Sequence, residues 1–169
     1  TLRQQQRDLY ADLDRRLLLL ENGATPGTPG TPGTGPTTSE DELRAADETS
    51  VYGDAFAALK AGRYADAARG FELYLAKYPD GPRADNATYW LGEAHYVQKD
   101  YTSALRAFQG VLERFPDSAK AGDAMLKVGL SQYELKAFRN ARTTLEKVVA
   151  GYSGTDADRL ARERLARMD

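Results

Sequence analysis

Few side chains in this sequence have the reactivity that enzyme chemistry requires. The 169 residues include no cysteine and a single histidine, His95. Thiol catalysis, disulfides and cysteine-ligated metals are therefore excluded, and one imidazole cannot form a histidine cluster for a metal. His95 is interpreted as a packing residue, because no second metal-ligating side chain is implied beside it. The sequence predicts neither a metal site nor a cofactor.

The other candidates for catalysis are acidic pairs and glycines. Asp12 with Asp14 and Glu40 with Asp41 are interpreted as surface charges, because acidic residues are usually solvated. The glycines of residues 22–38 follow no strand and lack the lysine of a phosphate-binding loop. No nucleophile with an activating base is evident. We therefore expect a non-catalytic protein that acts by binding.

Composition restricts the class of partner. The 23 basic residues nearly balance the 25 acidic residues, for a net charge of -2, which gives no reason to expect binding to nucleic acid or anionic lipid. Hydrophobic residues make up 41% and charged residues 28%, as in a folded globular domain. No apolar run approaches the roughly 20 residues that span a bilayer. Thr1 in first position agrees with signal-peptide removal or with a cloned fragment.

Residues 1–21 have the pattern of a short coiled coil. Leucines and polar residues alternate in steps of four and three, as on the seam of a two- or three-stranded coil. The predicted oligomerisation positions are Leu2, Gln6, Leu9, Leu13, Arg16 and Leu20. The alternative is a single amphipathic helix that docks on its own domain.

Residues 22–38 are predicted to be a flexible linker. They contain four of the seven prolines and three consecutive Thr-Pro-Gly triplets. Without large apolar side chains, nothing offsets the entropy of ordering this segment. As a glycine-rich coil it would place its ends about 20–25 Å apart.

The remainder, residues 39–169, consists of repeats with a period of 37 residues. Three copies begin at Tyr64, Tyr101 and Phe138: YADAARGFELYLAKYP, YTSALRAFQGVLERFP and FRNARTTLEKVVAGYS. Ser39 and Glu42 have the capping-box spacing that opens a helix. The period predicts an all-α superhelix of three helix-turn-helix repeats, closed by a terminal helix over residues 156–168.

Matching positions support this architecture. Gly92 and Gly129 align with Ala55, so each first helix keeps a small residue where another backbone must come close. The equivalent positions in the second helices pair small with large residues: Ala67, Ala104 and Ala141 with Phe71, Phe108 and Leu145. Proline recurs after the second helix at Pro79 and Pro116. The predicted N-caps are Gly81, Ser118 and Thr155.

The segment WLGEAHYVQKDYTSALRAFQGVLERFP resembles a tetratricopeptide repeat. The signature residues of that family are matched by Leu91, Gly92, Ala104, Phe108 and Pro116. This sequence departs from the family in its repeat period, which exceeds the 34 residues of the family by three. The additional residues would lengthen the turn before each first helix.

The order of coil, linker and repeats resembles the periplasmic accessory proteins of the Tol-Pal system, the YbgF/CpoB family. This resemblance extends over essentially the whole chain. It implies a periplasmic protein that forms a homotrimer through the coil and binds the inner-membrane protein TolA. It also implies coordination of peptidoglycan synthesis, through a synthase complex, with outer-membrane constriction during cell division.

Tetratricopeptide families bind partner segments in a groove lined by the first helices. Transferring their inward positions by register gives a predicted set: Tyr52, Phe56, Leu59, Lys60, Asn86, Tyr89, Glu93, Tyr96, Val97, Asp123, Leu126, Leu130, Tyr133 and Glu134. Trp90 is added as an aromatic anchor at the groove edge. The aromatic rings provide contact area, while the carboxylates could bind a lysine of a partner helix. The alternatives are that Trp90, Tyr96 and Tyr133 pack between helices and that the carboxylates are solvated.

Two other functions compete with the Tol-Pal interpretation. One is a helical-repeat scaffold for outer-membrane protein assembly; the coil and linker argue against it. The other is an adaptor that grips a C-terminal carboxylate, which requires a cationic clamp. Only Lys60 and Lys127 are available for such a clamp.

Overall fold

The computed structural model describes residues 40–168. Seven α-helices make up this range: α1 (Glu40–Lys60), α2 (Tyr64–Lys77), α3 (Ala84–Val97), α4 (Tyr101–Arg114), α5 (Ala121–Glu134), α6 (Phe138–Gly151) and α7 (Asp156–Ala166). The predicted all-α class is confirmed over these residues. The predicted coil with its six seam positions, the linker and the Ser39 cap lie outside the described residues.

Consecutive helices pack as three hairpins, α1 with α2, α3 with α4 and α5 with α6. The second helices begin at Tyr64, Tyr101 and Phe138, which are the repeat starts read from the sequence. Each hairpin also contacts the next through α2 with α3 and α4 with α5, and first helices touch through α1 with α3. The predicted helix-turn-helix repeats are therefore confirmed.

The turn within each hairpin depends on one left-handed residue. Gly62, Lys99 and Lys136 occupy the same repeat position with φ values of 75°, 64° and 63°. This conformation closes the first helix and redirects the chain into the second. Glycine adopts this left-handed conformation without strain, whereas for each lysine it costs about 1 kcal/mol of conformational free energy. The three turns therefore share one geometry despite their different residues.

The helix starts only partly follow the predicted N-caps. Thr155 is confirmed, because its hydroxyl accepts a hydrogen bond from the Asp158 N–H at 3.2 Å. Gly81 and Ser118 were wrong as N-caps, since α3 and α5 begin three residues later. A hydrogen-bonded turn comes first in both cases. This turn is where the three additional residues of the period are accommodated.

The glycines of the first helices permit close packing within each hairpin. A Cβ atom added at Gly92 would lie 2.6 Å from Cε1 of Phe108, and one at Gly129 would lie 2.8 Å from Cδ2 of Leu145. Neither distance is possible for a real Cβ contact. The prediction of close packing at these small residues is confirmed, but the group that approaches is a side chain of the second helix, Phe108 or Leu145, and not its backbone.

Helix α7 covers the end of the stack. Its Ala157 and Ala161 are buried against Leu126, Leu145 and Val148 of the third hairpin. Without α7 these three side chains would lose part of their burial, and full burial of such a side chain contributes about 1.5–3 kcal/mol. The predicted terminal helix is confirmed. Over residues 40–168, no helix is both long and apolar enough to cross a membrane.

Candidate peptide-binding groove

The first junction, between the first and second hairpins, is sealed by aromatic packing. Trp90 of α3 is 1% exposed, and its ring meets Phe56 of α1 edge to face, with centroids 5.5 Å apart. The Tyr89 ring also meets the indole edge to face, with centroids 5.1 Å apart. Leu59, which follows Phe56 on α1, is also buried. This placement agrees with the packing alternative for Trp90.

A buried polar network links the same two hairpins. Glu48 of α1 accepts hydrogen bonds from the Tyr74 hydroxyl and from the Arg83 guanidinium, the latter at 2.8 Å. The Arg83 guanidinium also lies 5.4 Å from the centre of the Tyr52 ring. A buried carboxylate is tolerated only with such partners. The network therefore fixes the start of α3 against α1 and α2.

The second junction, between the second and third hairpins, uses lysines instead of an indole. Lys127 of α5 places Nζ 2.7 Å from Oε1 of Glu93 and 5.1 Å from the centre of the Tyr96 ring. Glu93 is 2% exposed, so its charge requires this ion pair. Lys120 covers the rings of Tyr89 and Trp90 at 5.1 and 5.3 Å. Cations of the following repeat thus cover the aromatic side chains.

The third junction, between the third hairpin and α7, repeats this arrangement nearer the solvent. The Arg164 guanidinium lies 4.2 Å from the centre of the Tyr133 ring and 3.7 Å from Oε1 of Glu134. Both members of this ion pair keep more than a quarter of their side-chain surface exposed. The interaction is therefore weaker than the buried pair of the second junction.

Four tyrosines are each covered by a cation that stands 31 residues after them in the sequence. This spacing holds for Tyr52 with Arg83, Tyr89 with Lys120, Tyr96 with Lys127 and Tyr133 with Arg164. Lys127 and Arg164 stand 37 residues apart and so share one register position, which Gly53 and Trp90 occupy in the earlier repeats. Sequence analysis missed Arg83, Lys120 and Arg164. The 37-residue period applied to basic residues would have found them.

The predicted groove residues differ widely in exposure. The buried ones are Tyr52, Phe56, Leu59, Tyr89, Trp90, Glu93 and Leu126. The partly exposed ones are Asn86, Tyr96, Val97, Asp123, Leu130, Tyr133 and Glu134, and Lys60 is exposed. The surface available to a partner is therefore concentrated on α5 and the second half of α3. Whether this surface binds a partner stays a prediction.

The carboxylates of this surface already have cationic partners within the chain. Glu93 and Glu134 are already paired with Lys127 and Arg164, which reduces their capacity to attract a partner lysine. Burial raises the pKa of Tyr96 above its ordinary value, so its phenol, which is protonated at neutral pH in any case, stays protonated to a higher pH. Tyr96 can thus donate a hydrogen bond to a partner carbonyl or carboxylate.

His95 lies on α3 close to the turn, partly buried. Its Nδ1 is 3.7 Å from Oδ2 of Asp100, and Asp100 itself caps α4 by accepting from the Ser103 N–H at 3.1 Å. Across the described range, no group of three or more His, Cys, Asp or Glu side chains is placed to hold a metal ion. The contacts of His95 agree with its interpretation as a packing residue.

The repeat geometry defines the class of protein. Two family models, both described as tetratricopeptide repeat, match residues 55–119 and 123–155. Together they cover more than half of the chain, which therefore belongs to the tetratricopeptide-repeat family. The Arabidopsis OM64 TPR domain superposes with a TM-score of 0.63 over 75% of this chain and 99% of that domain. At 12% identity, this likeness shows the fold alone.

A more particular similarity concerns two proteins of Pseudomonas putida, both named Cell division coordinator CpoB. They are 29% identical to this chain over 117 residues. The match covers 59% of this chain and 42% of each relative, so the chain spans less than half of their length. The resemblance to the YbgF/CpoB family is confirmed by this similarity.

Proposed function

We propose that this chain is a non-catalytic interaction scaffold that coordinates cell division in the Gram-negative envelope. In this proposal it acts in the periplasm, within the Tol-Pal system. It binds TolA through the repeat groove and links peptidoglycan synthesis to outer-membrane constriction. The single observation that carries the proposal is the similarity to proteins named Cell division coordinator CpoB, in a chain whose repeats belong to a protein-binding family.

The partly exposed face of α3 and α5 supports a peptide groove in this role. Tyr96 and Tyr133 occupy equivalent positions in consecutive repeats, and each retains solvent exposure beside a cation. Aromatic side chains provide large contact area at a low entropic cost. Leu130, between them in sequence, adds apolar surface on the same helix as Tyr133. A helical or extended segment of TolA would lie along this face.

The N-terminal segments complete the proposal. Residues 1–21 would form a homotrimer, and residues 22–38 would tether each repeat domain to it. Three tethered grooves increase the effective concentration of binding sites for one multivalent partner. Each groove would still search independently, because residues 22–38 are predicted to be a flexible linker.

Binding of purified TolA to the full chain tests the proposed groove. We expect the double substitution Tyr96→Ala with Tyr133→Ala to weaken TolA binding at least tenfold, because two aromatic contacts are removed. Isothermal titration calorimetry measures the affinity, and circular dichroism checks that helical content is retained. The matched control is Leu73→Ala, which removes an exposed side chain of α2. Unchanged affinity in a folded double variant would exclude this groove.

Deletion of residues 1–21 tests the oligomer separately. We expect the shortened chain to become a monomer whose groove still binds TolA, with lower avidity for a multivalent target. Light scattering measures the mass before and after deletion. An identical mass for both chains would contradict the assignment of the coil.

A further inference from the structure

Of the three large apolar side chains that are exposed in residues 40–168, two lie at the turn of the third hairpin. Leu135 is 40% exposed and Phe138 is 47% exposed. Lys136 stands between them in the sequence, and its Nζ lies 6.0 Å from the centre of the Phe138 ring. Single exposed apolar residues are ordinary on a protein surface, whereas two of them at one turn indicate an interaction site. The partner must suit apolar and cationic groups together.

Two of the hairpin turns have lysine at a position where glycine would be less strained. Lys99 and Lys136 adopt the left-handed conformation that Gly62 adopts at the equivalent position of the first turn. This conformation is unfavourable for a residue with a Cβ atom and unstrained for glycine. Strained backbone positions of this kind cluster at functional sites. The property that lysine adds at these two turns is its charge.

The three hairpin turns lie along one edge of the stack, because each turn links the end of a first helix to the start of a second helix. We name this the turn edge. Within five residues of its left-handed positions the sequence has five basic and three acidic residues: Lys60, Arg63, Lys99, Lys136 and Arg139 against Asp66, Asp100 and Glu134. Each of these carboxylates already accepts a hydrogen bond or forms an ion pair within the chain. The turn edge therefore has a positive net charge.

The opposite edge, which contains the loops that follow each hairpin, has a negative net charge. Residues 78–87, 115–124 and 152–161 together contain six acidic and three basic residues. The net charge of -2 for the whole chain thus conceals two edges of opposite sign. An anionic surface would attract the turn edge and repel the loop edge. This asymmetry favours one orientation of the stack on such a surface.

An aromatic residue follows each left-handed position by two residues. These residues are Tyr64, Tyr101 and Phe138, and both tyrosines are partly exposed. Aromatic rings are favoured at the boundary between water and lipid, where one part of the ring is apolar and the other is hydrated. Lysine can bury its apolar stem there while its ammonium stays among the phosphates. A fluid bilayer also accommodates several separate turns without a fitted pocket opposite each of them.

We propose that the turn edge is a docking surface for an anionic lipid bilayer. Leu135 and Phe138 enter the headgroup region, and Lys99 and Lys136 bind lipid phosphates. The domain then lies on the bilayer surface and does not span it. This contact goes beyond the proposed binding of TolA, because none of these four residues belongs to the predicted groove.

Co-sedimentation of the full chain with lipid vesicles tests this surface. One set of vesicles contains equal parts of phosphatidylglycerol and phosphatidylcholine, and the other contains phosphatidylcholine alone. We expect at least tenfold stronger binding to the anionic vesicles, because lysines near an anionic surface are attracted to it. This binding should weaken when NaCl is raised from about 0.1 M to about 0.5 M, because salt screens the attraction. Equal binding to both sets, or binding to neither, would overturn the proposal.

Substitution of the exposed apolar residues tests their contribution. Leu135→Ser with Phe138→Ser should weaken binding to the anionic vesicles at least tenfold, and Leu135→Ser alone should weaken it about threefold. The matched control is Leu73→Ser on α2, which removes the third exposed apolar side chain, 53% exposed, and should leave binding unchanged. Circular dichroism checks that each variant retains its helical content. An equal loss in the control and in the double variant would overturn the assignment of the turn edge.

Lys99→Gly with Lys136→Gly tests the charges without a cost in folding. Glycine suits the left-handed conformation, so we expect the midpoint of urea unfolding to stay the same or to rise. Binding to the anionic vesicles should nevertheless weaken at least tenfold, and TolA binding should not change. Unchanged vesicle binding would overturn this proposal and leave the proposed function intact, whereas loss of TolA binding would overturn its separation from the groove.

An acidic protein segment is the competing occupant of the turn edge. The probe for it is an acetylated and amidated peptide of about ten glutamates, which has the charge of such a segment without the lipid. It is added to the ¹⁵N-labelled full chain in an NMR titration. Absence of shift changes at Lys99 and Lys136, together with vesicle binding, supports the bilayer. Shift changes caused by the peptide, without vesicle binding, would overturn the proposal in favour of an acidic protein partner.

Discussion

The first and third junctions of the stack use one register position with different chemistry. Between the first and second hairpins this position is Trp90, buried and edge to face with Phe56. Between the third hairpin and α7 it is Arg164, partly exposed over Tyr133. An indole can leave that position only by opening a cavity, whereas a guanidinium can move into solvent. Partner access is therefore easier at the third junction than at the first.

The second junction lies between these extremes. Lys127 occupies the same register position and forms a nearly buried ion pair with Glu93. Removal of Lys127 is unfavourable, because the buried Glu93 would lose its counterion. The stack thus grades from a sealed N-terminal junction to a more open C-terminal one. Three substitutions at this position, together with a glycine control, test the gradient.

Trp90→Ala should have the largest effect. We expect a loss of about 3–5 kcal/mol in the free energy of unfolding, because the substitution leaves a cavity between two hairpins. Urea unfolding followed by circular dichroism measures it. Gly53→Ala is the control at the same register position of α1, where an added Cβ meets nothing within 4 Å. This control should be neutral or stabilising by up to about 1 kcal/mol.

Lys127→Met should have an intermediate effect. Methionine keeps the apolar stem but leaves the buried Glu93 without its cation, so we expect a loss of about 2 kcal/mol. Adding Glu93→Gln should recover part of that loss, because the uncompensated charge is removed. A double-mutant cycle from urea unfolding measures the coupling. Zero coupling would show that the pair does not stabilise the second junction.

Arg164→Met should have the smallest effect on stability. The pair with Glu134 is partly exposed, so we expect a loss below about 1 kcal/mol. Arg159→Met, which removes exposed ion pairs elsewhere on α7, is the matched control. If Arg164→Met were as costly as Trp90→Ala, the gradient along the stack would be wrong.

The architecture of the repeats could be predicted because it depends on local rules repeated three times. Helix starts at Tyr64, Tyr101 and Phe138 follow directly from the 37-residue period. The close approach at Gly92 follows from a small residue aligned with other small residues. The N-cap at Thr155 was correct, but Gly81 and Ser118 begin a turn. Ser118 instead donates to Asp85 of α3 at 2.5 Å, a contact that only the stacked hairpins create.

The candidate groove was less accessible to prediction. The family register identifies inward positions, but it cannot state how deeply each is buried. Tyr89 and Tyr133 occupy equivalent helical faces of consecutive repeats, yet Tyr89 is 3% exposed and Tyr133 remains partly exposed. The difference arises from the neighbours of each ring. Tyr89 packs against Trp90 of its own helix and Phe108 of α4 beneath Lys120, whereas Tyr133 is covered by Arg164 of α7.

The amino-acid sequence by itself determined the helical repeats, the glycine contacts within hairpins and the absence of thiol chemistry. These properties depend on residue type and on spacing within a few turns of helix. Only the tertiary structure decided which aromatic side chains are sealed and which stay open to a partner. The physical reason is that exposure depends on side chains that the following repeat or α7 contributes, such as the cations that stand 31 residues after Tyr52, Tyr89, Tyr96 and Tyr133.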